Sequence, residues 1–298
     1  MGVEDVEAIE WCWLNGEILP LREARVSVED RGFVFADGVY EGIRIYNGVP
    51  FELERHLARL ESSCRALELS IPLKIGQLAS EIRKLIDHAR ARDAFLYLQV
   101  TRGVARRHPV YPRDTPPTLL FWTQPAPPIV PILTQPGGKL ISVQDDRWRR
   151  CWIKAIGLTA NIQARNAADR AGADEAAFVD ENGIVAECTS SNLFAVIDGV
   201  LITHPVGPRV LPGVTRSVVI ECAKSAGIEV RQRPLQIDEA KRAPEVFITS
   251  TTRHLIWIKH WDQTTISQQC GPFTQRLSEA FEVTVAGYIR GSSRSISS

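Results

Sequence analysis

The sequence predicts an α/β (α+β) protein of two domains, and three observations carry that expectation. Runs of period-two alternation are interleaved with runs whose apolar residues recur every three to four positions, the signatures of strands and amphipathic helices. Asn15-Gly16 and Asn47-Gly48 each join two short apolar runs, as hairpin turns that need positive φ do. The stretch Thr123-Gln124-Pro125-Ala126-Pro127-Pro128 reads as a stiff linker, because successive prolines favour extended polyproline geometry. The expected layout is therefore a smaller N-terminal domain at 1–122, a linker at 123–132, a larger C-terminal domain at 133–290 and a Ser-rich, disordered tail at 291–298.

Each element follows from its local pattern. Residues 11–14 and 17–19 form a hairpin across Asn15-Gly16, and 39–46 with 49–52 form a second across Asn47-Gly48. Leu53, Leu57, Leu60, Cys64 and Leu67 place one apolar stripe on a helix, and another helix is expected at 75–92 before a strand at 94–101. Residues 102–117 carry glycine, prolines and arginines without periodicity, a long surface loop of the kind that serves as a lid or substrate loop. In the second half, strands are expected at 139–143, 175–179, 184–187, 193–197 and 245–249, with helices at 161–171, 214–226 and near Asp238. Glu181-Asn182-Gly183 and Asp198-Gly199 supply the turns.

Composition narrows the function. Lys+Arg and Asp+Glu balance at 35 each, so no net field recruits nucleic acid, and no apolar run approaches a membrane span. Small polar molecules are the expected partners. Residues 1–10 are acidic and lack the basic-then-apolar order of a secretory signal, so export is not expected. Cysteines at 12, 64, 151, 188, 222 and 270 form no CxxC pair and no histidines cluster, which argues for a reducing cytoplasm and against a zinc site or disulfide framework.

The chemistry-bearing residues come next. Lysine is scarce, 7 residues against 28 arginines, and Lys154 stands in Trp152-Ile153-Lys154-Ala155-Ile156. Apolar surroundings destabilise an ammonium and make a neutral, imine-forming amine available, although a lone lysine at a strand edge also snorkels to solvent. Glu187 ends a strand, where a carboxylate can face a pyridine nitrogen or simply point to water. Thr189-Ser190-Ser191-Asn192 offers hydroxyls and N–H groups, equally natural in a turn. Leu211-Pro212-Gly213-Val214-Thr215-Arg216 opens a helix whose first N–H groups suit a phosphate, with Thr215 alternatively a cap. Ser250, Thr251 and Thr252 follow a strand and can close the other side of that phosphate, and Arg59, one turn after His56, can add a charge. An amine, a carboxylate and two hydroxyl-rich anion cradles are the inventory needed to hold and use pyridoxal 5'-phosphate (PLP).

Glu29-Asp30-Arg31-Gly32-Phe33-Val34-Phe35-Ala36-Asp37-Gly38-Val39-Tyr40-Glu41-Gly42-Ile43-Arg44, the lysine segment, Glu187-x-x-Ser190-Ser191-Asn192-Leu193-Phe194, Leu211-Pro212-Gly213-Val214-Thr215-Arg216 and Thr249-Ser250-Thr251-Thr252 occur in the order found in class IV aminotransferases. The chain resembles that family, the fold type IV PLP enzymes, from about Trp13 to Phe281. The resemblance implies two α/β domains with a mixed sheet or barrel core in the larger, a homodimer, and an active site near the domain and subunit boundary. It implies that Lys154 is the Schiff base lysine and proton carrier and that Glu187 is the pyridine partner. Arg59, Val214, Thr215 and Thr251 would hold the phosphate, with Ser191, Asn192, Leu211 and Ser250 beside the cofactor.

Substrate choice rests on finer features. D-amino acid aminotransferases of the family hold the α-carboxylate with a tyrosine at the position of Tyr40 and an Arg-x-His pair on a loop from the neighbouring subunit, and this chain has Arg106-Arg107-His108. Guanidinium, imidazole and phenol together fix a carboxylate's orientation. The loop pair sits one residue early for that type, which leaves Arg106 or Arg107 as the anchor. Glu41-Gly42-Ile43-Arg44 instead resembles the branched-chain L-amino acid aminotransferases, with Arg44 reaching a carboxylate, organising Tyr40 or pairing with Glu41 or Glu52. Thr251 and Thr252 complete the substrate-binding candidates. The expectation is a D-amino acid transaminase passing the amino group of D-alanine or D-glutamate to 2-oxoglutarate or another 2-oxo acid. Alternatives are a branched-chain L-aminotransferase, an (R)-selective amine transaminase, aminodeoxychorismate lyase, and a non-catalytic vitamin B6 binding protein.

Overall fold

A computed structural model describes residues 10–295; the acidic N-terminal stretch lies almost wholly outside the described residues, as do the last three positions. The chain divides into two units, one made of 1–126 with Lys154–Gly157, the other of Pro127–Ile153 with 158–298. Among the described residues no helix is long and apolar enough to cross a membrane.

The first unit is an antiparallel sheet backed by helices. Its elements are β1 (Trp11–Leu14), β2 (Glu17–Pro20), α1 (Arg31–Phe35), β3 (Gly38–Tyr46), β4 (Val49–Pro50), α2 (Leu53–Ala66), α3 (Ile75–His88), β5 (Ala94–Thr101) and β6 (Thr118–Pro125). Strand order is β2-β1-β6-β5-β3-β4. Asn15 and Asn47 both take positive φ, as the two hairpin turns require. Alternation along β3 decides which side chains do what. Val39, Glu41, Ile43 and Ile45 lie on one face, which packs on α2, while Tyr40, Gly42 and Arg44 lie on the other. Leu57, Leu60, Leu78, Ile82, Leu96, Leu98 and Phe121 fill the space between sheet and helices and are essentially solvent-free. The polyproline reading is corrected for 123–125 alone: Thr123, Gln124 and Pro125 pair with Leu96, Phe95 and Ala94 as the end of β6, since a proline at a strand's last position removes no needed donor.

The second unit holds a mixed sheet. It contains β7 (Gly138–Gln144), α4 (Thr159–Arg170), β8 (Glu175–Val179), β9 (Ile184–Cys188), β10 (Asn192–Ile197), β11 (Val200–Thr203), α5 (Val214–Ser225), β12 (Val230–Gln232), β13 (Leu235–Gln236), α6 (Ile237–Arg242), β14 (Glu245–Ser250), β15 (His254–Trp261), β16 (Thr264–Thr265) and α7 (Pro272–Ser295). The order is β12-β11-β10-β14-β15-β7-β8-β9-β13, with parallel pairs at β11·β12, β15·β7 and β7·β8. Val185 and Leu235 near one edge share a single apolar cluster with Ala195 and Ile202 near the other, so the sheet curls around that core. Helix α4 covers the outside of β8 through Ala164, Ala168 and Phe178. Past residue 249 no element is expected from the sequence, whereas the structure adds β15, β16 and α7. Helix α7 also takes in 291–295 of the stretch expected to be disordered.

Candidate active site

Lys154 belongs to the first unit rather than to the C-terminal domain in which the linear reading places it. Residues Lys154–Gly157 run antiparallel beside the start of β3: Tyr40 N–H donates to the Lys154 carbonyl at 2.9 Å, Ile156 N–H to the Gly38 carbonyl at 3.1 Å, and Val39 bridges Ala155. Lys154 N–H donates to Ser63 Oγ of α2 at 3.2 Å. The backbone is thus held on both sides, and the half-buried side chain sets its Nζ 4.2 Å from the centre of the Tyr40 ring. A phenol and an amine are brought together on one short stretch of paired backbone.

Behind Tyr40, on the opposite face of β3, lies a charged cluster that the sequence does not announce. Glu41 is fully buried, and Arg59 donates to it through Nε at 2.7 Å and Nη2 at 2.8 Å. His56 Nδ1 lies 2.7 Å from the same carboxylate. Burial by itself would raise the Glu41 pKa, but the Arg59 charge and hydrogen bonds, helped by His56, hold it down at about 2. Burial dominates at His56 and lowers its pKa despite Glu41, so the ring is neutral at pH 7. A neutral imidazole against an ionised carboxylate carries its proton on Nδ1. His56, Arg59 and Ser63 face β3 together because they recur at three- and four-residue steps on α2. Arg59, read as a phosphate ligand on an ordinary helix surface, is buried and engages Glu41; Glu41, read as a partner for Arg44, faces away from it. Arg44 is buried on the Tyr40 face, its guanidinium 5.3 Å from the Tyr46 ring.

Loop 102–117 is tied down at its base. Arg102 donates to Asp37 at 2.7 and 3.0 Å and to the carbonyls of Leu67 and Glu68, and its guanidinium lies 3.8 Å from the Tyr111 ring. Arg106, Arg107 and His108 are exposed, and His108 Nδ1 accepts the Val110 N–H.

In the second unit Glu187 is buried. Arg147 Nη1 donates to it at 2.7 Å, and Asn192 Nδ2 and the Leu211 N–H donate to its other oxygen at 3.0 Å each. Arg147 is itself held by Asp145 at 2.9 and 3.1 Å and packs 4.0 Å from the Phe178 ring. Two carboxylates, Asp145 and Glu187, outweigh burial and raise the Arg147 pKa, so this guanidinium is a permanent cation set directly against the Glu187 carboxylate. Gly213 is the N-cap of α5, with no side chain capping the first turn. Glycine is needed there for space: a Cβ would stand 2.0 Å from Asn192 Oδ1. Gly213→Ala is expected to displace Asn192 from Glu187 and cost about 1–3 kcal/mol, read as a lower melting temperature.

The hydroxyls of Thr189, Ser190 and Ser191 do not form the anion cradle that their sequence suggests. All three donate to Glu175, a fully buried carboxylate at the start of β8, which also receives Arg253 at 3.2 Å. Asn192 turns the other way, onto Glu187 and the Leu211 carbonyl. Ser250 Oγ accepts the Arg253 N–H in the turn that holds Thr251 and Thr252, both half-buried. Glu175, Arg147 and Asp145 are thus residues that sequence reasoning missed. The only signal was proximity, Asp145 and Arg147 lying just before the lysine segment.

Each unit carries groups that suit PLP. In the second, Glu187 paired with Arg147 suits a protonated ring nitrogen and the first turn of α5, with buried Val214 and Thr215, suits a phosphate. In the first, the Lys154 amine suits an aldehyde. Thr249 adds a direct sign, since its hydroxyl is buried without a hydrogen-bond partner among the described residues and stands opposite Asn192 in the β10·β14 register.

Comparison with known proteins agrees. The chain is 37% identical over 273 residues to the D-alanine aminotransferase of Bacillus licheniformis, covering 91% of this chain and 95% of that protein. It is 35% identical to that of Staphylococcus aureus (strain N315), covering 92% and 97%. Among solved structures, the branched-chain amino acid aminotransferase of Escherichia coli superposes with a TM-score of 0.85 at 27% identity, covering 92% and 94%. The branched-chain amino acid aminotransferase of Thermoproteus uzoniensis, seen with norvaline, gives 0.83 at 27%, covering 94% and 96%. Class IV aminotransferases use PLP, so the cofactor expected from the residues is the cofactor of the class. The profile of the amino-transferase class IV family matches residues 38–261, and the chain belongs to that family.

Proposed function

We propose that this aminotransferase takes the amino group from D-amino acids of the D-alanine or D-glutamate type and passes it to 2-oxoglutarate or another 2-oxo acid, working as a homodimer in the cytoplasm. The likeness to D-alanine aminotransferases over nine-tenths of the chain supports the donor class. The observation that carries the reading is Lys154 Nζ set against the Tyr40 ring, because the proton carrier and the phenol that faces the substrate carboxylate then share one rigid support. All six cysteines are unpaired, which supports a reducing compartment.

PLP supplies the electron sink that stabilises a carbanion at the substrate Cα. With PLP bound, Lys154 Nζ would take and give back the migrating proton, acting as base and then acid. Glu187, fixed by Arg147, Asn192 and the Leu211 N–H, would face the ring nitrogen and favour its protonated form. Val214 and Thr215 at the start of α5, with Ser250, Thr251 and the Arg59 charge that Glu41 orients, would hold the phosphate. Tyr40, Arg106 and His108 orient the α-carboxylate, the loop residues reaching the neighbouring subunit's substrate.

A branched-chain L-amino acid aminotransferase is the second reading, favoured by Arg44 on the Tyr40 face and by the solved structures that superpose. A donor panel of D-alanine, L-leucine, (R)-1-phenylethylamine and aminodeoxychorismate separates the possibilities. D-alanine as the best donor is the expected result; L-leucine as the sole good donor overturns the proposal, and pyruvate released from aminodeoxychorismate without an acceptor reveals a lyase. The double variant Arg106→Ala, His108→Ala is expected to lower D-alanine turnover by about 100-fold or more at unchanged cofactor content, since two charge-assisted contacts are lost. Unaltered kinetics would remove the loop from the site.

A further inference from the structure

We propose that Arg31 is the positioning residue of the carboxylate-binding loop, fixing the backbone at His108 so that Arg106 and His108 are presented together; this rests on the reading that loop 102–117 grips the substrate carboxylate. Arg31 is 4% exposed and makes two directional contacts. Its Nε donates to Asp37 at 2.9 Å, and its Nη1 donates to the His108 carbonyl at 2.7 Å. The first contact fixes the guanidinium plane, because Asp37 is also gripped by Arg102 at the root of the loop. The second places a buried cation's donor on the loop backbone at the residue whose side chain must meet substrate.

The short helix α1 is built to hold this arrangement. Asp30 caps it by accepting the Gly32 N–H at 2.8 Å and takes the hydroxyls of Thr101 and Thr118 at 3.0 and 2.6 Å, which joins the two ends of the loop. A Cβ on Gly32 would lie 2.3 Å from Thr101 Cγ2, so α1 sits directly on the end of β5. Asp30 also bridges Val104, and Arg31 N–H donates to the Gly103 carbonyl at 2.9 Å. At the far end of α1 the Phe35 ring receives two guanidinium groups, Arg31 at 4.7 Å and Arg107 at 5.2 Å. Seating Arg107 on Phe35 assigns it to the loop's own support and leaves Arg106 and His108 for the carboxylate. The choice between Arg106 and Arg107, open in the sequence, falls to Arg106.

The test uses the holoenzyme and two readouts, steady-state kinetics and amide hydrogen exchange over residues 104–111. Arg31→Gln is expected to raise KM for D-alanine about tenfold, the value of one charge-assisted hydrogen bond, and to speed exchange of that segment about tenfold or more, with cofactor affinity unchanged. Arg31→Lys, with one donor group in place of a fork, should fall between. Phe35→Leu keeps the His108 contact but unseats Arg107, and serves if Arg31→Gln does not fold; it should speed exchange at Arg107 and its neighbours. Unchanged exchange and unchanged KM in a folded variant overturn the proposal. If the Arg106, His108 double variant keeps wild-type kinetics, the clamp itself fails, and exchange in Arg31→Gln still decides whether Arg31 holds the loop.

Discussion

Lys154→Ala is expected to cripple amino transfer, lowering turnover by about 10²–10⁴-fold while leaving the fold intact. The residue's main-chain contacts do not depend on its side chain: its carbonyl still accepts the Tyr40 N–H, its N–H still donates to Ser63, and Ala155 still bridges Val39. What the side chain contributes to stability is its approach to the Tyr40 ring, a contact worth about 0.5–1 kcal/mol at a partly exposed site. Chemistry and stability therefore separate at this position. The measurement pairs turnover per bound cofactor with a thermal melt. Borohydride treatment of the wild-type holoenzyme should add the cofactor's mass to the peptide containing Lys154 and to no peptide of the variant. Residual transamination within about tenfold of wild type would remove Lys154 from its role.

Glu41→Ala should be the most destabilising of the single changes considered, by about 3–5 kcal/mol, because it removes the buried carboxylate that both Arg59 and His56 engage. Glu41→Gln, which keeps the shape and an acceptor, should cost less. The effect has a pH signature. Glu41 is held at about 2 in the folded protein against its usual 4.5, so its stabilisation is fully present above 4.5 and is lost as pH falls from there toward 2. His56 acts in the same direction from a higher pH. Burial lowers its pKa below 6.5, so below that pH the unfolded chain binds a proton that the folded chain refuses, and stability declines. Denaturant melts of wild type and Glu41→Ala between pH 3 and 8 should show a gap that is constant near neutrality and narrows below 4.5. A gap that does not narrow would mean that Glu41 is not the ionised partner of Arg59.

Much of the fold was legible because strands and helices are encoded within a few residues. The strand at 94–101 and the one at 175–179 coincide with β5 and β8, and the helix start at Val214 follows from Leu211-Pro212-Gly213. The C-terminal helix α7 carries a legible signal as well, since Phe273, Leu277, Phe281 and Val285 recur every four residues behind Pro272. Strand β15 was harder: His254–Trp261 is buried without clean alternation, as a strand covered on both faces is. Pro125 misled, because an extended proline reads alike in a linker and at a strand end.

By itself the sequence determined the class of chemistry: Lys154 among apolar neighbours, a strand-end Glu187, a glycine-opened helix at Val214, and the order in which they occur. Only the tertiary structure decided which charge meets which. Arg147 reaches Glu187 across 40 positions, Arg31 reaches His108 across 77, and Asp30 reaches Thr118 across 88. Such pairings depend on strand register and on which face of a helix turns inward, and the free energy that fixes them is the burial of the whole core rather than any local preference. For that reason Thr189, Ser190 and Ser191, which look like an anion site in a line of letters, fold onto the buried carboxylate of Glu175.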